Sequence, residues 1–591
     1  MSQYSHEQIL ETVPSHLQQY VVEQQYDRYT PRDQAVWRYV MRKNINFLAD
    51  HAHPSYLSGL EKTGISIEKI PNVEEMNAAL DQIGWRAVVV NGFIPPAAFM
   101  EFQAHRILVI SAEMRTAEHI LYTPAPDIIH EAAGHAPIIA DETYAEYLRR
   151  FGEIGSKAMA SRLDFDVYEA IRHLSIIKEF PNTTAEEIKK AEKDLKKKIE
   201  ANSDASEAAL LSRLHWWTVE YGLIGTPEKF KQYGAGLLSS VGESQHCLSA
   251  EVKKIPLSTA CINYDYDITK MQPHLFVTEN WEQLNDVLEE FASTMCFYRG
   301  GMDSIKKAIE SESVATLVFS SGLQISGKVT DVIQDISGNE VYIKTSGATA
   351  LAFNYKQLDG HGISYHSDGF GSPLGLLKGS TKPLEYFNVE NLKQYDIEKN
   401  SRTRLEFISG INLEGTTKDI VYAGGKLILI KFRDCAVKDN RGEILFNPEW
   451  GDYDMAVGEK IISVFAGTAD KEKYNVLPPR SEETAIVIEY SAKEKDLFDM
   501  YQKVREMRTS QNKDLDQITT IAKRLSKEYR LEWLIRLELT ELIKDISAEK
   551  NLYDRLIAEL EKLRAQSGEY NELIKSGLEL LDEIPKPVEN N

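Results

Sequence analysis

The 591-residue sequence predicts a mainly α N-terminal domain, a β-rich middle domain and a helical C-terminal region. Three patterns predict this order. Apolar residues recur at helical spacing in AVWRYVMRKNINFL, apolar and polar residues alternate through SVATLVFSSGLQISGKVTDV, and leucines return at spacings of three and four in RLEWLIRLELTELI. We therefore place the domains at residues 1–305, 310–480 and 485–591.

The N-terminal domain is expected to be helix and loop, with prolines at positions 31, 54 and 71 separating its segments. WRAVVVNGF predicts a short strand, whereas DETYAEYLRRFGEIG and NWEQLNDVLEEFAS predict helices. The lysine- and glutamate-rich stretch TTAEEIKKAEKDLKKKIEANSD lies between those two helices. We interpret residues of about 180–205 as an exposed inserted helix, and we rank a solvated face ahead of a partner-docking role.

The β-rich domain is predicted by Ser-Gly and Gly-Asn turns between alternating segments, a pattern that continues through GGKLILIKFRDC and KIISVFAG. GLQISGKV in this region matches GxxxxGK. Valine, however, occupies the position of the magnesium-binding serine or threonine, and the glycines lie in a strand pattern. We therefore predict a small antiparallel β-domain of unknown role without a P-loop.

The C-terminal region is predicted to be helical, with its leucines packed against the rest of the chain. A homo-oligomer formed through these helices is the alternative. The repeats are too short to predict a coiled coil.

The composition indicates a soluble globular protein, with 42% hydrophobic and 27% charged residues. A net charge of −22 argues against nucleic acid, since phosphate binding needs clustered lysine and arginine. The four cysteines are too scattered for a disulfide framework or a CxxC zinc site. No signal sequence or apolar stretch long enough to cross a bilayer is evident, so we expect a cytoplasmic protein without a membrane partner.

The segment YTPAPDIIHEAAGHAP, residues 122–137, contains two histidines five residues apart. At 100° per residue, His135 would lie about 140° around a regular helix from His130, so this is not the HExxH motif of zinc proteases. The pair could still share one ion near a helix end or a local distortion, which Gly134 would permit. Capping or core histidines are the alternative.

Glu220, in LHWWTVEYGL, is the best candidate for a third ligand. Its aromatic and aliphatic neighbours leave few directions open to water, and a buried unpaired carboxylate is costly unless a cation or hydrogen-bond donors meet it. Two imidazoles and one carboxylate form the facial triad of non-heme Fe(II) oxygenases. This pattern predicts a metal site.

The chain resembles the pterin-dependent aromatic amino acid hydroxylases, the family of phenylalanine, tyrosine and tryptophan hydroxylases. The resemblance covers about the first 300 residues and is closest to the bacterial form. It is carried, in the family's order, by YTPRDQAVW, YTPAPDIIHEAAGHAP, WWTVEYGL, YGAGLLSSVGESQHCLS and MQPHLFVTENW. It implies a mainly α catalytic domain that uses Fe(2+), a tetrahydropterin and O2 to hydroxylate the ring of an aromatic amino acid.

The resemblance also implies roles for individual residues. The implied iron ligands are His130, His135 and Glu220. Asp127 is implied as an acidic residue that lies beside these ligands and Arg115 without binding the iron itself. The implied substrate-binding residues are Arg115, Thr123, Trp216, Gly236 and Ser239. The implied pterin-binding residues are Gly92, Ile94, Phe99, Glu131 and Tyr266. Taken singly, Phe99 would be a core aromatic, Asp127 a helix cap and Gly236 a close-packing glycine.

Four positions depart from the family pattern. His215 and His246 stand where tyrosines are usual, Ala125 replaces an acidic residue, and Pro96 replaces a serine beside the pterin. These departures leave the coupling of cofactor to substrate open. The excess length between His135 and Glu220 is explained by the inserted helix.

Phenylalanine is the favoured substrate, because Ile268 lies where tyrosine hydroxylases tend to carry an acid and phenylalanine hydroxylases an apolar residue. Tyrosine and tryptophan hydroxylation are alternatives. From other functional classes, a catalytically impaired scaffold or binding protein and a zinc hydrolase are alternatives too. The hydrolase is disfavoured because no candidate general base stands beside the histidines.

Overall fold

The structure is a computed structural model that describes most of the chain. The described residues are 4–92, 94–120, 126–179, 183–201, 205–268, 270–474, 489–510, 512–566, 568 and 570–582.

The first long helix, Pro31–His51, begins where the sequence supplies two start signals. The Thr30 hydroxyl accepts from the Asp33 backbone N–H, the Asp33 carboxylate accepts from the Thr30 N–H, and Pro31 takes the first helical position. This confirms the helix predicted from AVWRYVMRKNINFL. The other α-helices of the first 310 residues are His6–Glu11, Ser55–Lys62, Val73–Leu80, Pro96–Ala104, Glu142–Gly155, Arg162–Glu179, Ala185–Ala201, Glu207–His215, Ala235–Ser239, Val241–His246, Trp281–Ala292, Cys296–Arg299 and Gly301–Glu310.

Two small sheets accompany these helices. In the first, Arg86–Val90 pairs antiparallel with Val21–Val22 and parallel with Ile107–Ser111. The second has the order Lys229–Gln232, Leu223–Thr226, His274–Thr278, Lys253–Pro256; its first pair is antiparallel and the others are parallel. The strand predicted from WRAVVVNGF is confirmed, but this part mixes helices with more strands than the sequence predicted.

The exposed inserted helix is confirmed as Ala185–Ala201, in which Ala191 is the buried residue. It packs against Arg162–Glu179, and Lys178 on that helix lies 3.0 Å from the Glu192 carboxylate. The insertion is therefore one half of a helical hairpin.

The middle of the chain is antiparallel β-structure, as predicted, and it is divided into two sheets. The first contains Val314–Phe319, Leu323–Gln334, Glu340–Phe353, Lys356–Gln357, Gly371–Pro373 and Ile461–Ala466. The second contains Arg402–Glu406, Asn412–Ala423, Lys426–Lys438, Ile444–Phe446 and Tyr453–Ala456. GLQISGKV lies mainly within Leu323–Gln334. Gly327 belongs to this strand and Gly322 to the turn that joins it to the preceding strand, so no helix follows the glycines as it would in a P-loop.

The C-terminal helices share one hydrophobic core with the N-terminal part. They are Ala492–Thr509, Leu515–Glu528, Leu534–Ile543, Lys550–Gln566 and Asn571–Asp582. Tyr39 on the first long helix donates to the Leu573 carbonyl at 2.7 Å. The Arg38 guanidinium contacts the carboxylates of Glu538, at 3.0 Å, and Glu541, at 2.6 Å. The packing predicted from the leucine spacing is thus confirmed.

None of the helices that the structure describes combines the length and the apolar character that a membrane span requires.

Candidate metal centre

Residues His130–His135 form a π-helical turn, in which a backbone N–H bonds five residues back. The Ala136 N–H accordingly donates to the Glu131 carbonyl at 3.3 Å. The wider turn brings together two side chains that a regular helix would separate, and the two Nε2 atoms lie 3.2 Å apart. Of the two arrangements that would let the histidines share an ion, a helix end or a local distortion, the structure shows a local distortion.

Gly134 acts through close packing and not through an unusual backbone conformation. A Cβ at this position would lie 2.6 Å from the carbonyl oxygen of Ala235. The glycine therefore lets the π-helical turn approach helix Ala235–Ser239, which carries Ser239 toward His130.

A second π-helical turn, Trp216–Glu220, carries the carboxylate. It continues directly from helix Glu207–His215. Glu220 Oε2 lies 3.2 Å from His130 Nε2, and Glu220 Oε1 lies 3.3 Å from His135 Nε2. His130, His135 and Glu220 thus form what we term the His–His–Glu triangle.

The electrostatics of the triangle favour an ionised carboxylate. Burial alone would raise the pKa of Glu220, but the imidazoles of His135 and His130 lower that pKa well below its usual range. Burial raises the pKa of neighbouring Glu131 to about 8. Among the described residues, Glu131 Oε2 has no hydrogen-bond partner.

Asp127 links the triangle to Arg115. Its carboxylate accepts from Arg115 Nε at 2.7 Å and from Nη2 at 2.8 Å, and it also accepts from the His130 backbone N–H at 3.1 Å. Burial would raise the pKa of Asp127, but the Arg115 guanidinium holds it below its usual value. Asp127 is therefore both a helix cap, as its position alone would suggest, and the ion-pair partner of Arg115.

Two residues expected to bind substrate lie on helix Ala235–Ser239. The Ser239 hydroxyl lies 3.0 Å from His130 Nδ1 and donates to the Ala235 carbonyl at 2.7 Å. It therefore orients the His130 ring, a contact that the sequence did not indicate. A Cβ at Gly236 would lie 2.8 Å from the Tyr221 ring, so this glycine is required for close packing.

The rings of Trp216 and Tyr266 stack on each other, with centroids 4.4 Å apart and planes 12° apart. Trp216 Nε1 also donates to Gln272 Oε1 at 3.3 Å. Burial raises the pKa of Tyr266 to about 12, so its phenol stays protonated at neutral pH. The structure brings together a residue expected at the substrate and one expected at the pterin.

The remaining expected pterin positions lie on and beside the loop between strand Arg86–Val90 and helix Pro96–Ala104. Gly92 has a φ of +58°, a conformation that favours glycine. Ile94 and Phe99 both pack against the same buried apolar cluster. Among the described residues, no hydrogen bond or ring contact joins Gly92 or Ile94 to the triangle. Thr123, expected at the substrate, and the departure Ala125 lie outside the described residues.

Of the other departures, His215 directly adjoins the triangle. Its Nδ1 lies 3.6 Å from Glu220 Oε1, and its ring meets the edges of Phe99 and Phe151. Burial lowers the pKa of His215 to about 4, so a neutral imidazole stands beside Glu220. Pro96 is an exposed helix-start residue, and His246 ends helix Val241–His246.

The donor set suits a divalent transition-metal ion. Two imidazole nitrogens and one carboxylate lie within 3.3 Å of one another, so bonds of about 2.0–2.2 Å from one point can reach all three. The side chain of His135 is 3% exposed, whereas those of His130 and Glu220 are 16% and 12% exposed. The open side of the triangle therefore lies beside His130 and Glu220.

Comparison with known proteins identifies the family. The profile of the biopterin-dependent aromatic amino acid hydroxylases matches residues 16–164 and 193–320, with a gap inside the helical hairpin. The chain is 30% identical over 270 residues to phenylalanine-4-hydroxylase of Ralstonia nicotianae, covering 45% of this chain and 72% of the relative. The Chromobacterium violaceum phenylalanine-4-hydroxylase is 28% identical over 270 residues, with 45% and 76% covered.

A crystal structure of the Chromobacterium violaceum enzyme with bound oxidized iron matches with a TM-score of 0.37 and 27% identity, over 46% of this chain and 86% of that chain. The family resemblance seen in the sequence is confirmed by the profile and the relatives. The chain belongs to the biopterin-dependent aromatic amino acid hydroxylases.

Proposed function

We propose that this chain catalyses the Fe(II)- and tetrahydropterin-dependent hydroxylation of L-phenylalanine to L-tyrosine with O2. The observation that carries the proposal is the His–His–Glu triangle on two π-helical turns, in which the two Nε2 atoms lie 3.2 Å apart and each lies 3.2–3.3 Å from one oxygen of the Glu220 carboxylate. Family membership supplies the reaction class. Bound iron and reduced tetrahydropterin would together supply the activation of O2.

In this proposal His130, His135 and Glu220 hold the iron on one face. Ser239 fixes the His130 ring through Nδ1, which leaves Nε2 for the metal. Asp127 fixes the start of the turn through the His130 backbone N–H. Ser239 and Asp127 do not bind the metal themselves. They fix the orientation of His130, which keeps its Nε2 atom pointed at the other two ligands.

Arg115 is the proposed partner of the substrate carboxylate. Asp127 accepts from Nε and Nη2 of the guanidinium, whereas among the described residues Nη1 contacts only the carbonyls of Ile120 and Ser239, each at 3.5 Å. The Nη1 edge is therefore the part that can take up a carboxylate. Asp127 also caps the turn that carries His130. A single residue, Asp127, therefore affects both the binding of the substrate carboxylate and the orientation of an iron ligand.

The proposed pterin contacts come from Gly92, Ile94, Phe99, Glu131 and Tyr266. Glu131 supports this assignment, because its buried Oε2 lacks a hydrogen-bond partner among the described residues and a pterin ring offers N–H donors. Phe99 adds apolar surface next to His215.

The proposed substrate pocket includes Thr123, Trp216 and Gly236. The aromatic face of Trp216 suits an aromatic side chain. Ile268, which is half-buried, supports phenylalanine because an apolar side chain offers no partner for a second ring hydroxyl. The four cysteines are buried and unpaired, which fits the reducing cytoplasm that we propose as the location.

A direct comparison of substrates tests this function. The full chain is loaded with Fe(II) and assayed with tetrahydrobiopterin, O2 and each of the three aromatic amino acids in turn. We expect tyrosine from phenylalanine at the highest kcat/KM. Faster consumption of tryptophan or tyrosine would overturn the substrate assignment, and the absence of any turnover in a folded, iron-loaded protein would favour the scaffold alternative.

A further inference from the structure

A second pair of histidines with the same five-residue spacing lies in the β-rich region. His361 and His366 occupy the segment between strands Lys356–Gln357 and Gly371–Pro373. This region lies beyond the family match, which ends at residue 320. The pair was not predicted from the sequence, although its five-residue spacing repeats that of His130 and His135.

The fold brings a carboxylate to this pair from a distant strand. His361 Nδ1 and His366 Nε2 lie 3.2 Å apart. Asp454 Oδ2, on strand Tyr453–Ala456, lies 3.5 Å from His361 Nδ1 and 3.7 Å from His366 Nε2. Two imidazole nitrogens and one carboxylate oxygen therefore converge within a space that one ion can bridge.

The Asp454 carboxylate is buried without the partners that a buried charge requires. Its side chain is 2% exposed, and among the described residues neither oxygen has a hydrogen-bond partner of normal geometry. The Tyr365 phenol and the Lys431 ammonium lie near enough to lower its pKa, but burial dominates and raises that pKa to about 6. A hydrogen bond between the two histidines would satisfy the imidazoles and leave Asp454 unsatisfied.

The backbone around the cluster is well anchored. The His361 carbonyl accepts from the Leu351 N–H at 2.9 Å, and the His366 carbonyl accepts from the Thr349 N–H at 3.0 Å. Both donors lie on strand Glu340–Phe353 of the first sheet, whereas Asp454 belongs to the second sheet. An ion at this point would join the two sheets.

We propose that His361, His366 and Asp454 form a second metal site, which binds a divalent transition-metal ion such as Zn²⁺ and fastens the segment carrying the histidines to the second sheet. Side chains that are 3%, 9% and 2% exposed leave little room for a substrate, so the role is structural. Nitrogen and carboxylate ligands favour such an ion over Ca²⁺ or Mg²⁺. The proposal is independent of the function proposed for the His–His–Glu triangle.

Zinc titration of the full chain in a His130→Ala/His135→Ala background isolates the second site. After chelation and dialysis, this variant is titrated with Zn²⁺ against a chromophoric chelator. We expect about one tightly bound equivalent and a raised melting temperature on binding. If this variant is folded but binds no zinc, the proposal is wrong. The test is clear because the β-rich region carries no substitution that could unfold it.

Added substitutions then assign the ligands. In the same background, His366→Ala and Asp454→Asn should each lower zinc affinity at least about 100-fold. Asp452→Asn is the matched control, because Asp452 is exposed, lies two residues away and pairs with Lys418. Affinity that is unchanged in Asp454→Asn, or reduced equally in Asp452→Asn, would contradict the assignment. Co²⁺ absorption that is lost in His366→Ala but kept in Asp452→Asn provides a second readout.

Discussion

At the His–His–Glu triangle, every donor side chain depends on a neighbour that is distant in sequence. Ser239 orients His130 across 109 positions, and Asp127 orients the turn while it also holds Arg115. Glu220 stands among aromatic residues, and the two imidazoles compensate its burial. Single substitutions at the triangle should therefore change metal affinity, substrate affinity and unfolding free energy. Each of these quantities can be measured separately.

Replacing His135 should abolish tight iron binding without unfolding the chain. His135→Ala leaves two donors, and loss of one of three protein ligands is expected to weaken Fe(II) binding by at least about 100-fold. Iron content and circular dichroism of the purified protein measure the two effects. His173→Ala, at an exposed histidine of the helical hairpin, is the control. A stoichiometric iron content in folded His135→Ala that persists when His366→Ala is added would rule out this ligand.

Replacing Arg115 should affect both substrate binding and stability. Arg115→Ala removes the proposed carboxylate contact, which raises KM for the amino acid. It also leaves the buried Asp127 charge uncompensated, at a cost of about 3–5 kcal/mol in unfolding free energy. Arg115→Lys keeps the charge but not the paired contacts, so its KM and its unfolding free energy should lie between those of the wild type and Arg115→Ala. If KM and urea stability are unchanged in Arg115→Ala, the proposed role is wrong.

At the scale of elements, the site is formed by two π-helical turns and the short helix Ala235–Ser239. The π-helical geometry converts a five-residue spacing into a shared face. The short helix approaches closely because Gly134 and Gly236 lack side chains. Contact between these elements should therefore control metal affinity as strongly as the ligands themselves.

Gly134→Ala tests this packing. The added Cβ would lie 2.6 Å from the Ala235 carbonyl oxygen, so helix Ala235–Ser239 has to shift and carry Ser239 away from His130. We expect a loss of about 1–3 kcal/mol in unfolding free energy and about tenfold weaker iron binding. Gly568→Ala is the control, since a Cβ there meets nothing within 4 Å. Equal effects of the two substitutions would contradict the packing argument.

The sequence predicted the metal-binding side chains of the site better than it predicted the residues that orient them. The histidine spacing and the aromatic surroundings of Glu220 pointed to the triangle, and the need for a local distortion was evident from helical geometry. Contacts such as that between Ser239 and His130 could not be predicted, because the order of two segments in the sequence does not reveal how close they lie in the fold. Short strands such as Lys253–Pro256 were missed because four residues give too little alternation to recognise.

At the scale of the whole molecule, the C-terminal helices are part of the core that supports the triangle. Arg38 pairs with Glu538 and Glu541, residues about 500 positions away. Leucine spacing predicted these helices, but periodicity cannot reveal which surface a helix covers. The ion pairs and the shared core join residues outside the family match to the family domain.

These ion pairs predict a pH dependence of stability. Burial would raise the pKa of Glu541, but hydrogen bonds and charge from Arg38 lower it from the usual 4.5 to about 2. Because the folded-state pKa is depressed, the stabilisation is complete above the unfolded pKa and is lost as pH falls from about 4.5 toward 2. The loss is on the order of 3 kcal/mol.

The difference in unfolding free energy between wild type and Glu541→Gln measures this contribution. We expect the difference to be largest near about pH 6 and to shrink as the pH is lowered toward about 3. A difference that does not vary with pH would show that Glu541 is not responsible.

The most direct test of the account follows labelled oxygen through the reaction. The full chain, loaded with Fe(II), is given phenylalanine, tetrahydrobiopterin and isotopically labelled O2, and the tyrosine formed is analysed by mass spectrometry beside Glu220→Gln. We expect one labelled oxygen atom in each tyrosine from the wild type and at least about 100-fold less product from Glu220→Gln. Unlabelled tyrosine, or equal labelled product from both proteins, would contradict it.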